Sequence, residues 1–217
     1  TWGANGGTED SANGVAVDSN NNIYVTGVFA FTTDFDPGAG TDNKVSNGLR
    51  DAFLTRYDAD GTYAWTKTWG GSSTDWAFQV AVSPTDGVYV IGSFNGTADF
   101  DPSETASNFT ASNEDSYASK FTTDGTYEFT YVWGGQEQDE PIDIVFGDDG
   151  NWYVTGFFST TSSDLDPTSG VNTVAYNSAY DIFVSTFDSN DGYVDSKTFG
   201  ASNAVNWWDE MGRRLFV

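Results

Sequence analysis

The 217-residue sequence predicts an all-β chain built from tandem four-stranded antiparallel units, and three observations lead there. The first is composition. Of the 32 acidic residues 25 are Asp and 7 are Glu, beside 24 Gly and 36 aromatic residues. Asp and Gly favour turns and aromatics favour strands, so the mixture describes many short strands joined by tight connections. The second is repetition. Thr1-Trp2-Gly3 returns as Thr68-Trp69-Gly70, Val132-Trp133-Gly134 and Thr198-Phe199-Gly200, at spacings of 67, 64 and 66 residues. Asp34-Phe35-Asp36-Pro37 returns as Asp99-Phe100-Asp101-Pro102 and Asp164-Leu165-Asp166-Pro167, both at an interval of 65. Ile23-Tyr24-Val25-Thr26-Gly27 returns as Val88-Tyr89-Val90-Ile91-Gly92 and Trp152-Tyr153-Val154-Thr155-Gly156. The third is that no segment carries an apolar period of 3.6, so no long helix is expected.

The elements of one repeat follow in order. Val15-Ala16-Val17 is a short apolar strand, and the polar residues 18–22 turn into a second strand at Ile23–Phe29. The Asp-Phe-Asp-Pro loop leads to a third strand at Asp51–Tyr57. Asp60-Gly61 is a hairpin signal, repeated at Asp124-Gly125 and Asp191-Gly192, and residues 63–69 return as a fourth strand. Four strands in about 65 residues suggest blades of a β-propeller. The usual blade is shorter, about 40–50 residues, and the surplus lies in a loop at residues 30–50. The expected division is residues 1–67, 68–131 and 132–197 as three full repeats, with 198–217 starting a fourth. Three blades are fewer than the roughly 4–8 that close a ring. Further repeats of a longer chain, or other copies of this one, are therefore the expected partners.

Composition also removes several chemistries. The chain has no His and no Cys, so no Ser-His-Asp triad, Cys-His pair, or histidine or thiolate metal site can be built. A net charge of −24 opposes binding to a phosphate backbone. No apolar run approaches the ~20 residues of a membrane helix. The only methionine is Met211, which reads as a processed product or a segment of something longer, with no signal peptide in view.

The runs Gly14–Gly27 and 51–61, followed by Trp69-Gly70-Gly71, resemble the SBBP repeat, a β-propeller repeat of secreted and surface proteins, mainly bacterial. The resemblance reaches to about Gly200. It implies a propeller-type fold and an extracellular or cell-surface location, and it implies no single activity.

Candidate sites remain open between two readings each. The pairs Asp34 and Asp36, Asp99 and Asp101, and Asp164 and Asp166 could hold calcium, because alternate carboxylates in a loop suit a hard cation. They could equally be turn chemistry, with Asp capping its own loop and Pro fixing φ. The Trp-Gly-Gly corners could stack on sugar rings; their regular recurrence, with Phe199 replacing Trp, favours packing between neighbouring repeats. Asn95-Gly96-Thr97 and Asn108-Phe109-Thr110 are glycosylation patterns in the expected long loop of the second repeat. Trp207 and Trp208 have no counterpart in earlier repeats, and with Leu215, Phe216 and Val217 they form a candidate assembly strand. A carboxylate-dependent glycoside hydrolase is the enzymatic alternative. Most acids recur, as in Asp10/Asp75/Asp139 and Asp51/Asp115/Asp181, and repeated residues look structural. Glu128, Glu137, Glu140 and Asp143 break the pattern without forming a motif. The expected function is thus a non-catalytic extracellular structural or assembly protein: a scaffold, surface layer or filament subunit. The alternative is an adhesive or carbohydrate-binding module.

Overall fold

The structure is a computed structural model that describes residues 10–103, 105–159, 163–175 and 180–200. Among the described residues there are sixteen strands and no helix, and every strand ladder is antiparallel. The first set is β1 (Ser11–Val17), β2 (Ile23–Phe29), β5 (Asp51–Tyr57) and β6 (Tyr63–Gly71), paired in that order. A small hairpin, β3 (Thr32–Asp34) with β4 (Asn43–Val45), sits in the connection from β2 to β5. The same order returns as β7 (Trp76–Val82), β8 (Val88–Asp99), β9 (Asn108–Phe121) and β10 (Tyr127–Trp133). It returns again as β11 (Asp139–Phe146), β12 (Trp152–Phe158), β15 (Asp181–Phe187) and β16 (Tyr193–Phe199), with the hairpin β13 (Ser163–Asp164) and β14 (Thr173–Val174).

Two features differ from expectation. The surplus between second and third strands is not an open loop. In the first and third sets it folds into its own hairpin. In the second set β8 and β9 simply run on, pairing Thr97 with Thr110 and Asp99 with Asn108 beyond a bulge at Asn95 to Thr97. This extension lets Gly70 and Gly71 of β6 pair with Asp99 and Ala98, so the first two sets merge into one eight-stranded sheet. The third set stays a separate four-stranded sheet, and the sheets do not close on themselves.

Side-chain alternation divides each set into two apolar faces. Tyr24, Ala52 and Leu54 of the first set share a core with Val80, Val90, Phe94, Tyr117 and Phe121 of the second. Tyr89, Ile91 and Ala118, on the opposite face of the second set, share a core with Ile144, Val154, Phe158 and Phe183 of the third. The same repeat positions therefore face forward at both junctions, and the same positions face back. The first strands line up along this stack: β1 touches β7, and β7 touches β11.

The glycine that ends each Tyr-Val-x-Gly marker has a steric reason. Opposite it, each first strand carries a register shift, between Ala12 and Gly14, Ala77 and Gln79, and Pro141 and Asp143. The shift drives a carbonyl against the glycine. A β-carbon would stand 1.9 Å from Ser11 O at Gly27, 1.8 Å from Trp76 O at Gly92 and 2.1 Å from Glu140 O at Gly156. All three contacts are with backbone, which cannot swing aside. Gly92→Ala should therefore lower unfolding stability by about 1–3 kcal/mol or prevent folding. Ala at the open turn glycine Gly61, where nothing lies within 4 Å but φ is +84°, should cost less, about 1 kcal/mol from backbone strain. Urea denaturation of the two variants checks the order; equal losses would contradict it.

Candidate functional site

The Asp-x-Asp-Pro loops repeat one another in detail. The first carboxylate accepts two amides through Oδ1: Asp36 N (3.1 Å) and Asp42 N (2.8 Å) at Asp34. At Asp99 the donors are Asp101 N (3.2 Å) and Ser107 N (2.8 Å), and at Asp164 they are Asp166 N (3.1 Å) and Asn172 N (2.8 Å). The second carboxylate of each pair accepts the amide two residues on: Gly38, Ser103 or Thr168. The six acids stay in three separate loops, and among the described residues no group of three acidic side chains converges. What each loop presents inward is its middle residue. Phe35 meets Phe29 at 5.2 Å and Phe53 at 5.0 Å between ring centroids. Phe100 meets Phe94 at 5.1 Å and Tyr117 at 4.8 Å, and Leu165 is fully buried at the same position. The loop thus folds a plug onto the backward face of its own sheet, and the two carboxylates hold the turn that delivers it.

A tyrosine ties this loop to the second hairpin. Tyr63 donates to Asp42, the Tyr127 hydroxyl lies 3.0 Å from that of Ser107, and Asn172 donates to Tyr193 at 2.6 Å. Behind them the third and fourth strands are joined by buried hydroxyl pairs: Thr55 with Thr66, Ser119 with Thr130, and Ser185 with Ser196, at 2.7–2.8 Å. These residues were not singled out from the sequence, although Tyr63, Tyr127 and Tyr193 recur at 64 and 66 residues, just as the chosen markers do.

The Trp corners are packing elements. Trp69 and Trp133 are 2% and 3% exposed and belong to the two inter-set cores. Trp69 Nε1 donates to the Tyr117 hydroxyl at 3.2 Å, which itself donates to Trp76 O at 2.8 Å. Phe199 is instead exposed.

Near each corner lie two buried aspartates from consecutive sets. Asp51 opens β5 and Asp75 precedes β7, and each is 1% exposed. Asp75 Oδ2 accepts Gly71 N at 2.7 Å, and Asp51 Oδ2 accepts Asn47 N at 2.8 Å. One oxygen of each lies within 3 Å of a single point, the position a β-carbon on Gly70 would take. At the next junction Asp115 and Asp139 hold the equivalent places, with Gly135 N donating to Asp139 Oδ2 at 2.7 Å and the Ser163 hydroxyl to its Oδ1 at 2.9 Å. Burial pushes these carboxyls up: Asp51 and Asp115 to about 6, Asp75 and Asp139 to about 7. The neighbouring carboxylate of the pair adds to the rise at Asp75 and Asp139.

The acids outside the repeat pattern do not gather. Glu128 pairs with Lys120 at 3.1 Å, Asp143 accepts the Ile144 amide, and Glu137 is exposed. Glu140 is half-buried and pushed up to about 7 by burial and by Glu114, and the Gln138 amide donates to both. Asn95 and Asn108, expected in a long loop, lie instead in β8 and β9, because those strands extend through the region; Asn108 is exposed and Asn95 half-exposed. The hydroxyls of their sequon threonines, Thr97 and Thr110, lie 2.8 Å apart. Trp207, Trp208, Leu215, Phe216 and Val217 fall outside the described residues.

The described residues form recurring antiparallel sets that pack face to face, an arrangement like that of β-propeller repeats. Residues 3–28 match the family model of the SBBP β-propeller repeat, in agreement with the resemblance read from the motifs. Among curated proteins, the chain is 24% identical over 215 residues to an uncharacterized WD repeat-containing protein of Acanthamoeba polyphaga mimivirus, covering 86% of this chain and 16% of that protein. It is 32% identical over 149 residues to the regulatory protein FlaEY of Caulobacter vibrioides, covering 64% of this chain and 15% of that protein. The chain therefore spans about one sixth of the length of these relatives.

The loop geometry makes the role of Asp99 testable. Asp99→Ala removes the acceptor of two amides and should cost about 1–3 kcal/mol. Asp99→Asn keeps a carbonyl oxygen in the same place and should retain most of the stability. Denaturant titration separates the two outcomes. If Asn costs as much as Ala, the negative charge rather than the turn is what the loop requires.

Proposed function

We propose that the chain is a non-catalytic, extracellular structural or assembly module made of three four-strand propeller-type blades that stack on further blades of the same type. One observation carries the reading. Val80 and Ile144 occupy the same repeat position on the backward faces of the second and third sets, and each is 3% exposed under the preceding set. Val15 occupies that position in the first set and is 64% exposed. A face that is sealed twice within the chain by a neighbouring repeat is suited to receive another. The forward face of the third set, with Tyr153 and Val184 half-buried, carries the positions that do the sealing. Joining the two faces is a head-to-tail contact, which either closes a ring or runs on as a filament. The extracellular location follows from the family resemblance alone.

For the isolated 217-residue chain, a second copy can supply that neighbouring repeat. Sedimentation or light scattering should show ordered, concentration-dependent association, stronger at higher salt because the charge of −24 is screened. Val15→Asp changes an exposed side chain, leaves the fold intact and should weaken association at least tenfold. A monomer at every concentration and salt level, unchanged by the substitution, would contradict the reading.

A further inference from the structure

The aspartates under the Trp corners are costly to bury. Asp51, Asp75 and Asp115 each keep a buried Oδ1 with no hydrogen-bond partner. A buried acceptor left without a donor is rare in folded proteins. Here the deficit falls on acidic side chains from consecutive repeats that feel one another's charge, with two such oxygens at the first junction and one, on Asp115, at the second. No cation relieves it. Of the ion pairs among the described residues, none reaches Asp51, Asp75, Asp115 or Asp139. Arg50, next to the first pair in sequence, places its guanidinium over the Trp76 ring at 5.4 Å.

We propose that each junction holds a shared proton, between Asp51 and Asp75 and between Asp115 and Asp139, and that this proton is a pH-dependent latch fastening one repeat to the next. One proton meets the requirement at the first pair. A proton on either carboxyl turns one acceptor into a donor at the place under Gly70 where an oxygen of each side chain comes close. At the second pair Asp115 donates toward Asp139, whose Oδ1 already takes the Ser163 hydroxyl. An oxygen-loving cation is a poorer fit, since calcium takes about 6–8 oxygens and no third acidic side chain converges on either pair.

The surroundings hold the pair in this state. The groups facing the first pair are the Asn47, Gly48 and Gly71 amides, a main-chain donor at Asn95 and the Tyr117 hydroxyl, whose own ionisation burial suppresses. Those facing the second are the Ser112, Gly135 and Ser159 amides and the Ser163 hydroxyl. None of these groups is cationic. Each pair therefore resists losing its last proton, as two close carboxylates do elsewhere. The direction of the pH effect follows. A carboxyl raised in the folded state binds its proton more tightly there than when unfolded. The stabilisation is complete below the ordinary carboxylate range, near pH 4, and is lost as pH rises through about 6–7. Low pH tightens the stack, and neutral to mildly alkaline pH loosens it.

The latch goes beyond the scaffold reading and stands without it. The test follows the melting temperature of the whole chain from pH 5 to pH 8, at constant ionic strength, with and without calcium and with chelator. The expected result is a fall of roughly 5 °C or more on going to pH 8. In Asp75→Asn the amide supplies the missing donor permanently. That variant should lose about half of the pH dependence, and Asp75→Asn with Asp139→Asn most of it, both melting above the parent chain at pH 8. Infrared difference spectroscopy on the unsubstituted chain gives a second readout, independent of whether the variants fold. A protonated-carboxyl carbonyl band should persist at pH 6 and vanish by pH 8, and most of it should survive Glu140→Gln, which removes the other carboxyl held up to about 7. The proposal is overturned if no such band is present at pH 6. It is likewise overturned if the melting temperature is flat from pH 5 to pH 8, or if calcium restores stability at pH 8 and the chelator removes it.

Discussion

An antiparallel sheet that carries apolar side chains on both faces cannot hide them by itself, and each set in this chain is such a sheet. Tyr24, Ala52 and Leu54 need Val80, Val90 and Phe94, and Tyr89, Ile91 and Ala118 need Ile144, Val154 and Phe158. Burying apolar surface between repeats, at about 25 cal/mol per Å², is what makes a row of such sheets stable, and repeat proteins in general depend on their neighbours in this way. The other recurring features serve that contact. The register shift opposite Gly27, Gly92 and Gly156 brings the first strand in close, the Asp-x-Asp-Pro turn lays a plug on the backward face, and the corner Trp fills the seam.

Much of this was legible from spacing. The second and third strands of the first set lie where the repeat markers put them, at Ile23–Phe29 and Asp51–Tyr57. Trp69 and Trp133 pack between sets, as their recurrence implies. The apolar pattern marks only residues 15–17 of the first strand, because Ser11 to Gly14 offer one methyl group, that of Ala12; their place is fixed by main-chain pairing with β2. The surplus region reads as loop because Asp, Asn, Gly, Ser and Thr dominate it. The two arms of the second repeat carry only short alternations, Ala98 with Phe100 and Phe109 with Ala111, and turn residues between them obscure the ladder from Thr97–Asp99 to Asn108–Thr110.

The aspartates show where sequence reasoning stops. Recurrence identified Asp51, Asp75, Asp115 and Asp139 as structural, which their burial supports. Nothing in one dimension says that residues 24 apart, from different repeats, end under the same tryptophan. The paired acids of the Asp-x-Asp-Pro loops advertise themselves in sequence yet lie in separate turns, each holding its own main chain. The more consequential pairs are distant in sequence and adjacent in space. A chain with 32 acidic and 8 basic residues has few cations with which to neutralise them.

If contact between repeats is the source of stability, protection must be greatest where a set is covered on both faces. Only β7 to β10 lies between two described sets, so amide hydrogen exchange followed by mass spectrometry addresses the claim directly. Slowest exchange is expected in the peptides of β8 and β9, between Val88 and Phe121, with faster exchange in β1 and β16 at the two ends of the described stack. Uniform protection across the three sets, or slowest exchange in β1 or β16, would contradict the account.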